Sequence, residues 1–169
     1  MLCYYYFMAI HNYLIEGVSG SGKSSVCDEL KAHGFSVISG DAELAYNGDP
    51  ATGKPVDGHG HNTWIWDVDK VVKLTNDKTS DALFFCGGSR NFDKFIHLFD
   101  KVFILDVDNE TIKQRLAARN DNEWGKQKSE LDMILSLNNT KEDLPPEGIL
   151  IDATKPLNVV VDEIIKFTI

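Results

Sequence analysis

Cysteine is scarce in this chain: Cys3, Cys27 and Cys86 are odd in number, and no C-x-x-C or other metal-ligand spacing occurs. That excludes a disulfide scaffold or a zinc module, and the three read as reduced, structural thiols of a cytosolic protein. Basic residues are also short. Lys and Arg number 17 against 26 Asp and Glu, a formal net charge of −9, so the broad positive field that nucleic acids or anionic membranes require is missing. Long apolar runs are missing too. The opening stretch 1–10 lacks a basic n-region and is too short to span a bilayer, so it reads as a strand extension or a loose leader. There is no internal repeat and no low-complexity tract. What remains is ordinary: 169 residues, 43% apolar and 25% charged, fit a single domain over 1–169 whose partner is a small molecule.

Against that background one stretch stands out. Gly17-Val18-Ser19-Gly20-Ser21-Gly22-Lys23-Ser24 satisfies G-x-x-x-x-G-K-[ST] at every position. Tyr13-Leu14-Ile15 before it reads as a short buried strand, and Ser24 to His33 after it as a helix, which is the order a phosphate-binding loop needs. The glycines let backbone N–H groups turn onto phosphate oxygens, and the helix start adds unpaired N–H groups and the positive end of a dipole. Lys23 is placed to reach the β- and γ-phosphates, the Ser24 hydroxyl to ligate Mg²⁺, and Ser25 to complete the ATP-binding segment.

Further candidates stand where strands end, the place at which open α/β sheets bind ligands. Phe35 to Ile38 reads as a second strand, and Asp41 follows it: Asp41 either holds magnesium or orients an acceptor hydroxyl and takes its proton, or it caps a helical turn over Ala42 to Tyr46. Residues 47–62 are rich in glycine and read as a mobile loop on the acceptor side, with His59 and His61 as solvent-exposed loop histidines. Trp64, Trp66 and Asp67 open a predicted helix to about Leu74, and the two tryptophans are either core or the wall of an acceptor pocket. Ala82 to Cys86 is a continuous apolar run, hence a central strand, and it ends in Gly87-Gly88-Ser89-Arg90. Arg90 either clamps an acceptor group or pairs with Asp93. Asn91 to Phe99 reads as a short helix, and Lys101 to Val107 as the next strand, with Asp106 in a strand-end or capping role. Asn109 to Asn120 reads as a helix capped by Asn109. Its Arg115 and Arg119, four apart on one face, repel unless an anion lies between them. Residues 120–128 read as a lid. Leu131 to Leu137 is again helical, Ile149 to Ile151 is the last strand, and a closing helix turns Val159, Val160, Ile164 and Ile165 inward.

Five strands alternating with helices, a phosphate loop after the first and an arginine-bearing helix and lid after the fourth resemble the P-loop small kinases, the group of nucleoside monophosphate, shikimate and gluconate kinases. The resemblance runs from about His11 onward. It implies a three-layer α/β/α architecture on a five-stranded parallel sheet, the P-loop nucleoside triphosphate hydrolase fold. It implies transfer of the γ-phosphoryl of Mg²⁺-ATP to a small acceptor by a cytoplasmic monomer or homodimer. Lys23, Asp41, Arg115 and Arg119 would be catalytic, and Ser24 and Asp41 would hold the metal. Trp64, Trp66, Gly87, Gly88 and Arg90 would face the acceptor, and the segment of Asp152, Thr154 and Pro156 would lie against the adenine. Shikimate kinases carry a third glycine where Ser89 stands, and adenylate kinases a longer arginine set in the lid, so no acceptor transfers with the resemblance. An ATPase or nucleotide-dependent switch, or a non-catalytic ATP-binding module, are the alternatives. The sequence contains no N-K-x-D, Asn76-Asp77-Lys78 being a different pattern, so guanine specificity has no support.

Overall fold

The structure, a computed structural model, describes residues 11–77 and 80–168. The leader read at 1–10 lies outside the described residues. The strands β1 (His11–Glu16), β2 (Ser36–Ser39), β5 (Ala82–Cys86), β6 (Lys101–Asp106) and β7 (Ile149–Asp152) form one parallel sheet in the order β2-β5-β1-β6-β7. All five were legible as apolar runs, because a parallel sheet covered on both faces needs apolar side chains on both. The two faces separate by parity. Tyr13, Ile15, Phe84, Phe103 and Leu105 point to one side, where α1 (Lys23–Ala32), α4 (Asn109–Ala117), α5 (Lys128–Thr140) and α6 (Leu157–Lys166) supply Val26, Leu30, Ile112, Ile134, Val161 and Ile164. Leu14, Leu83 and Phe85 point to the other, against Trp66, Val71, Phe95 and Phe99. This is the expected three-layer α/β/α arrangement. Among the described residues, no helix is long and apolar enough to cross a membrane.

Several local expectations are corrected. Asp41 does not cap a turn over Ala42 to Tyr46: the helix is α2 (Gly40–Glu43), with Ser39 at its N-cap and Asp41 in its first turn, and Ala45–Asn47 is strand β3. Trp64 and Trp66 do not open a helix. They form β4 (Trp64–Trp66), antiparallel to β3, because pairing Ala45 with Trp66 and Asn47 with Trp64 supplies the backbone partners that a helix would have supplied. The helix α3 (Val68–Thr75) starts later, at Asp67, whose side chain accepts from the Lys70 N–H at 3.1 Å. The stretch 47–62 is tied down more than its glycines suggested: Gly48 bridges Pro55, the Tyr46 hydroxyl donates to the Gly53 carbonyl at 2.7 Å, and His61–Thr63 is a 3₁₀ turn. Residues 91–99 hold two 3₁₀ turns, Phe92–Lys94 and Ile96–Leu98, instead of one helix. Asp108, not Asn109, caps α4, through the Thr111 N–H. In α6 it is Val160, Val161 and Ile164 that are buried, while Val159 is exposed. Cys27 and Cys86 are disulfide-bonded rather than reduced: α1 packs over β5 with the two Cα atoms 6.3 Å apart, inside the range a disulfide spans.

Candidate active site

The phosphate loop crosses from β1 to α1 at the carboxyl edge of the central strand. Gly20 and Gly22 adopt φ values of 83° and 104°, a left-handed backbone that other residues rarely take, and this is the physical reason for glycine at both. The amino group of Lys23 donates to the carbonyls of Gly17 and Val18, at 3.1 Å for the latter, so it is held across the loop it serves. Ser21 is buried, and among the described residues its Oγ has no hydrogen-bond partner. A buried hydroxyl without a partner in a loop of this kind suits a phosphate oxygen.

Arg115 and Arg119 reach the loop from α4 and the chain just beyond it. Arg115 donates to the carbonyls of Ser21 (2.8 Å) and Ala153 (2.7 Å), and so fastens the loop to the chain leaving β7. Arg119 donates to Ser19 Oγ (3.1 Å) and to the Trp124 carbonyl (2.6 Å), joining the loop to the lid. Their repulsion is therefore spread over backbone oxygens, and both guanidinium groups still line the cavity.

That cavity measures about 910 Å³, within the range of small-molecule sites. Gly17 through Val26 line one end; Asp41, Gly60, His61, Trp64, Gly88 and Arg90 line the other. The Asp41 carboxylate accepts from the Trp64 indole N–H at 3.1 Å, so the strand that overturned the helix is also what aims Trp64 at Asp41. Gly88 and Arg90 are at the cavity as expected, but Gly87 lies beside it, in a hollow of about 60 Å³ that it shares with Ser24 and Asp41. Trp66 is not a pocket wall: it is 1% exposed and stacks on Phe95 at 5.4 Å, while its backbone N–H donates to Asn91 Oδ1 at 3.0 Å. Past β7 the cavity is lined by Ala153, Lys155 and Leu157 and not by Asp152, Thr154 and Pro156. Asp152 instead accepts from the N–H and hydroxyl of Thr154, which keeps its carboxyl below the usual range and shapes the turn.

Four participants escaped the sequence reading. Asp143, after α5, pairs with Arg90 through Oδ1 and with His61 Nε2 through Oδ2, so Arg90 is held there and not by Asp93. His61 is accordingly a cavity residue and no solvent-exposed histidine, and its ring stacks on Trp124 at 6.4 Å. Nothing in the local sequence marks Asp143 or Trp124. Glu16 did carry a signal, a carboxylate placed directly between a buried strand and a phosphate loop. It is 1% exposed, accepts from the Gly17 N–H at 2.9 Å and packs beside Gly88. Burial pushes its carboxyl from 4.5 up to about 7, against the pull of Lys23, the Gly17 N–H and Arg90. Burial in turn lowers the Lys23 ammonium, while Glu16 and Asp41 act to keep it charged.

Residues 14–136 match the sequence profile of the AAA domain family. The chain belongs to that family. No curated protein matches the sequence. Among solved structures, a sugar kinase from Janibacter sp. HTCC2649 is similar at 22% identity over 94% of each chain, with a TM-score of 0.62. A shikimate kinase from Acinetobacter baumannii in complex with shikimate is similar at 17% identity over 95% of this chain and 93% of its own, with a TM-score of 0.63. A deoxyadenosine kinase from M. mycoides with bound dATP matches at 16% identity over 92% and 97%, with a TM-score of 0.51. The fold expected from the sequence, that of the P-loop small kinases, is thereby borne out.

Proposed function

We propose that this protein is an ATP-dependent phosphotransferase that moves the γ-phosphoryl of ATP to a hydroxyl of a small acceptor. The observation that carries the reading is the single cavity that joins the phosphate loop, Arg115 and Arg119 at one end to Asp41 and Trp64 at the other. Its volume of about 910 Å³ leaves room for a nucleotide and a small acceptor side by side, as in-line phosphoryl transfer would need.

Gly17 to Ser25 cradle the phosphates through backbone N–H groups. Lys23 exchanges the Gly17 and Val18 carbonyls for β- and γ-phosphate oxygens, and Arg115 and Arg119 offset charge on the phosphoryl group in a loose transition state. The turn of Asp152, Thr154 and Pro156 lies against the adenine, presenting Ala153, Lys155 and Leu157 to it. Asp41 orients the acceptor hydroxyl and takes its proton. The acceptor oxygen bonds to phosphorus, the bond from phosphorus to the bridging oxygen breaks, and ADP leaves with that electron pair. Trp64, Gly88 and Arg90 bound the acceptor.

Magnesium fits the chain. Ser24, Ser39 and Asp41 bring hydroxyl and carboxylate oxygens to one small hollow, the hard donors Mg²⁺ prefers, and Mg²⁺ characteristically takes few protein ligands beside phosphates. Held at the Ser24 hydroxyl it would supply charge neutralisation at the β- and γ-phosphates, which leaves the Asp41 carboxylate to the acceptor proton. On this reading the protein acts where ATP and Mg²⁺ are at hand, in the cytoplasm, as a monomer or homodimer on a free small molecule. The test is incubation with Mg²⁺ and γ-labelled ATP against nucleosides, nucleotides, sugars and sugar acids. Label on one acceptor supports the reading; label in free phosphate alone makes the protein a hydrolase or switch, and ATP bound without turnover makes it a binding module.

A further inference from the structure

The acceptor end of the cavity has an uneven charge. Asp41 and Asp143 bring carboxylates there beside the Arg90 guanidinium, while Glu123, also at the cavity, accepts from Asn120 and lies near Arg119 and Lys126. The Arg90 guanidinium is engaged: one Nη pairs with Asp143 Oδ1, and the other donates to the Asp143 carbonyl at 3.2 Å. The remaining carboxylate oxygen, Oδ2, is taken by His61 Nε2, and the His61 ring is backed by Trp124. The Arg90 and Asp143 side chains are 14% and 20% exposed, so the pair is largely shielded from water and held by two donors. Such a pair is stronger than a surface ion pair and harder to open. Asp143 thus sits on Arg90 as a carboxylate ligand would, but it is part of the chain.

An acceptor carrying a carboxylate or phosphate would have to displace Asp143 from Arg90 and then lie between Asp41 and the displaced carboxylate. A hydroxyl meets the opposite situation, since each of those carboxylates can accept its proton. The aromatic faces of Trp64 and Trp124 at the same end suit the apolar face of a ring.

We propose that Asp143 is a specificity-determining residue that restricts the acceptor to an uncharged, hydroxyl-bearing ring compound of the sugar or nucleoside kind, by occupying the position on Arg90 that an acceptor anion would take. The assignment rests on the phosphotransferase reading and narrows it. It uses repulsion as the selective element: an anion is refused because its counter-charge is already satisfied.

Matched acceptor pairs test it, each differing by one anionic group and keeping both the ring and the reacting hydroxyl: glucose with glucose 1-phosphate, and adenosine with its 3′-monophosphate. Label transfer from γ-labelled ATP gives kcat/KM for each, and tryptophan fluorescence gives ATP binding independently. The wild type should favour the neutral member of a pair by about 10²-fold or more, the scale set by like-charge juxtaposition in a shielded site. Asp143→Asn, close in shape but uncharged, and Asp143→Ala should each lower that ratio by roughly 10-fold or more as Arg90 becomes available. Should neither variant fold, the wild-type ratio decides alone. Comparable use of the anionic members by the wild type, or a ratio unmoved in folded variants, overturns the role of Asp143 and leaves phosphotransfer standing. ATP binding with no label on any acceptor overturns both.

Discussion

The two ends of the cavity are built from different material. One end is the single continuous loop after β1, with Gly20 and Gly22 setting its shape and Arg115 clamping it from outside. The other end is assembled from separate segments: Asp41 from α2, His61 and Trp64 around the start of β4, Gly88 and Arg90 after β5, Trp124 after α4, and Asp143 after α5. Its working groups are side chains that hold one another. A backbone site tolerates side-chain change nearby, because its donors do not depend on side-chain identity. A side-chain site can be re-specified at any of its segments without disturbing the other end. Structures named for a sugar, shikimate and a deoxynucleoside share this fold, so the fold by itself does not choose an acceptor.

This contrast can be broken or sharpened by substitution. The largest effect belongs to Lys23→Ala, which should reduce ATP-dependent transfer by roughly 10³-fold or more whatever the acceptor, measured as kcat/KM. An acceptor-dependent loss would mean that the two ends are not independent. Arg115→Ala comes next: it removes a phosphate-facing cation and also the tie from Ser21 to Ala153, so turnover should fall by about 10²- to 10³-fold and ATP binding should weaken as well. If ATP affinity and turnover are both untouched, Arg115 does not act on the phosphoryl group. The two tryptophans of β4 separate core from site. Trp66→Ala should cost about 3 to 5 kcal/mol of stability in chemical denaturation, as for other buried aromatic residues. Trp64→Phe should leave stability nearly unchanged and raise the acceptor KM several-fold, through loss of one hydrogen bond of about 1 kcal/mol to Asp41.

The smallest effect, and the most specific, concerns Glu16. Its carboxyl titrates at about 7 in the fold and near 4.5 when unfolded, so between those values the folded state holds the extra proton. Stability from this group is full below about pH 4.5 and is lost as pH rises through about 7. Glu16→Gln should flatten that decline, seen as the difference in Tm between variant and wild type across pH 4.5 to 7.5. A difference that stays constant with pH would mean that Glu16 is not the titrating group.

The same contrast explains how much was legible beforehand. The strands were visible because both faces of a buried parallel sheet demand apolar residues, and the phosphate loop because its chemistry needs eight consecutive positions in a fixed pattern. Asp41, Gly88 and Arg90 were placed at the cavity from one rule, that ligands sit beyond strand ends, and the same rule over-reached to Gly87 by one residue; Trp64 was a candidate as an aromatic residue beside a glycine-rich loop. The missing parts depend on pairings that sequence distance hides. Nothing between Asn47 and Trp64 announces that β3 and β4 pair, and without that hairpin Trp66 cannot be told from Trp64. Asp143 lies 53 positions from Arg90 and 82 from His61, in a charged stretch before two prolines that reads as solvated.

The strand order carries a consequence for how the protein comes into being. β1 holds the phosphate loop, yet its neighbours are β5 and β6, so His11 pairs with Ala82 and Tyr13 with Lys101. The wall that Arg115 fastens to the loop arrives later still, at Ala153. During synthesis from the amino terminus, β1 and the loop after it emerge before β5 and β6, the two strands that flank β1 in the sheet. Nucleotide can thus brace the native protein against unfolding, but it cannot template the early stages of its assembly, which are left to long-range strand pairing and its slow loop closures.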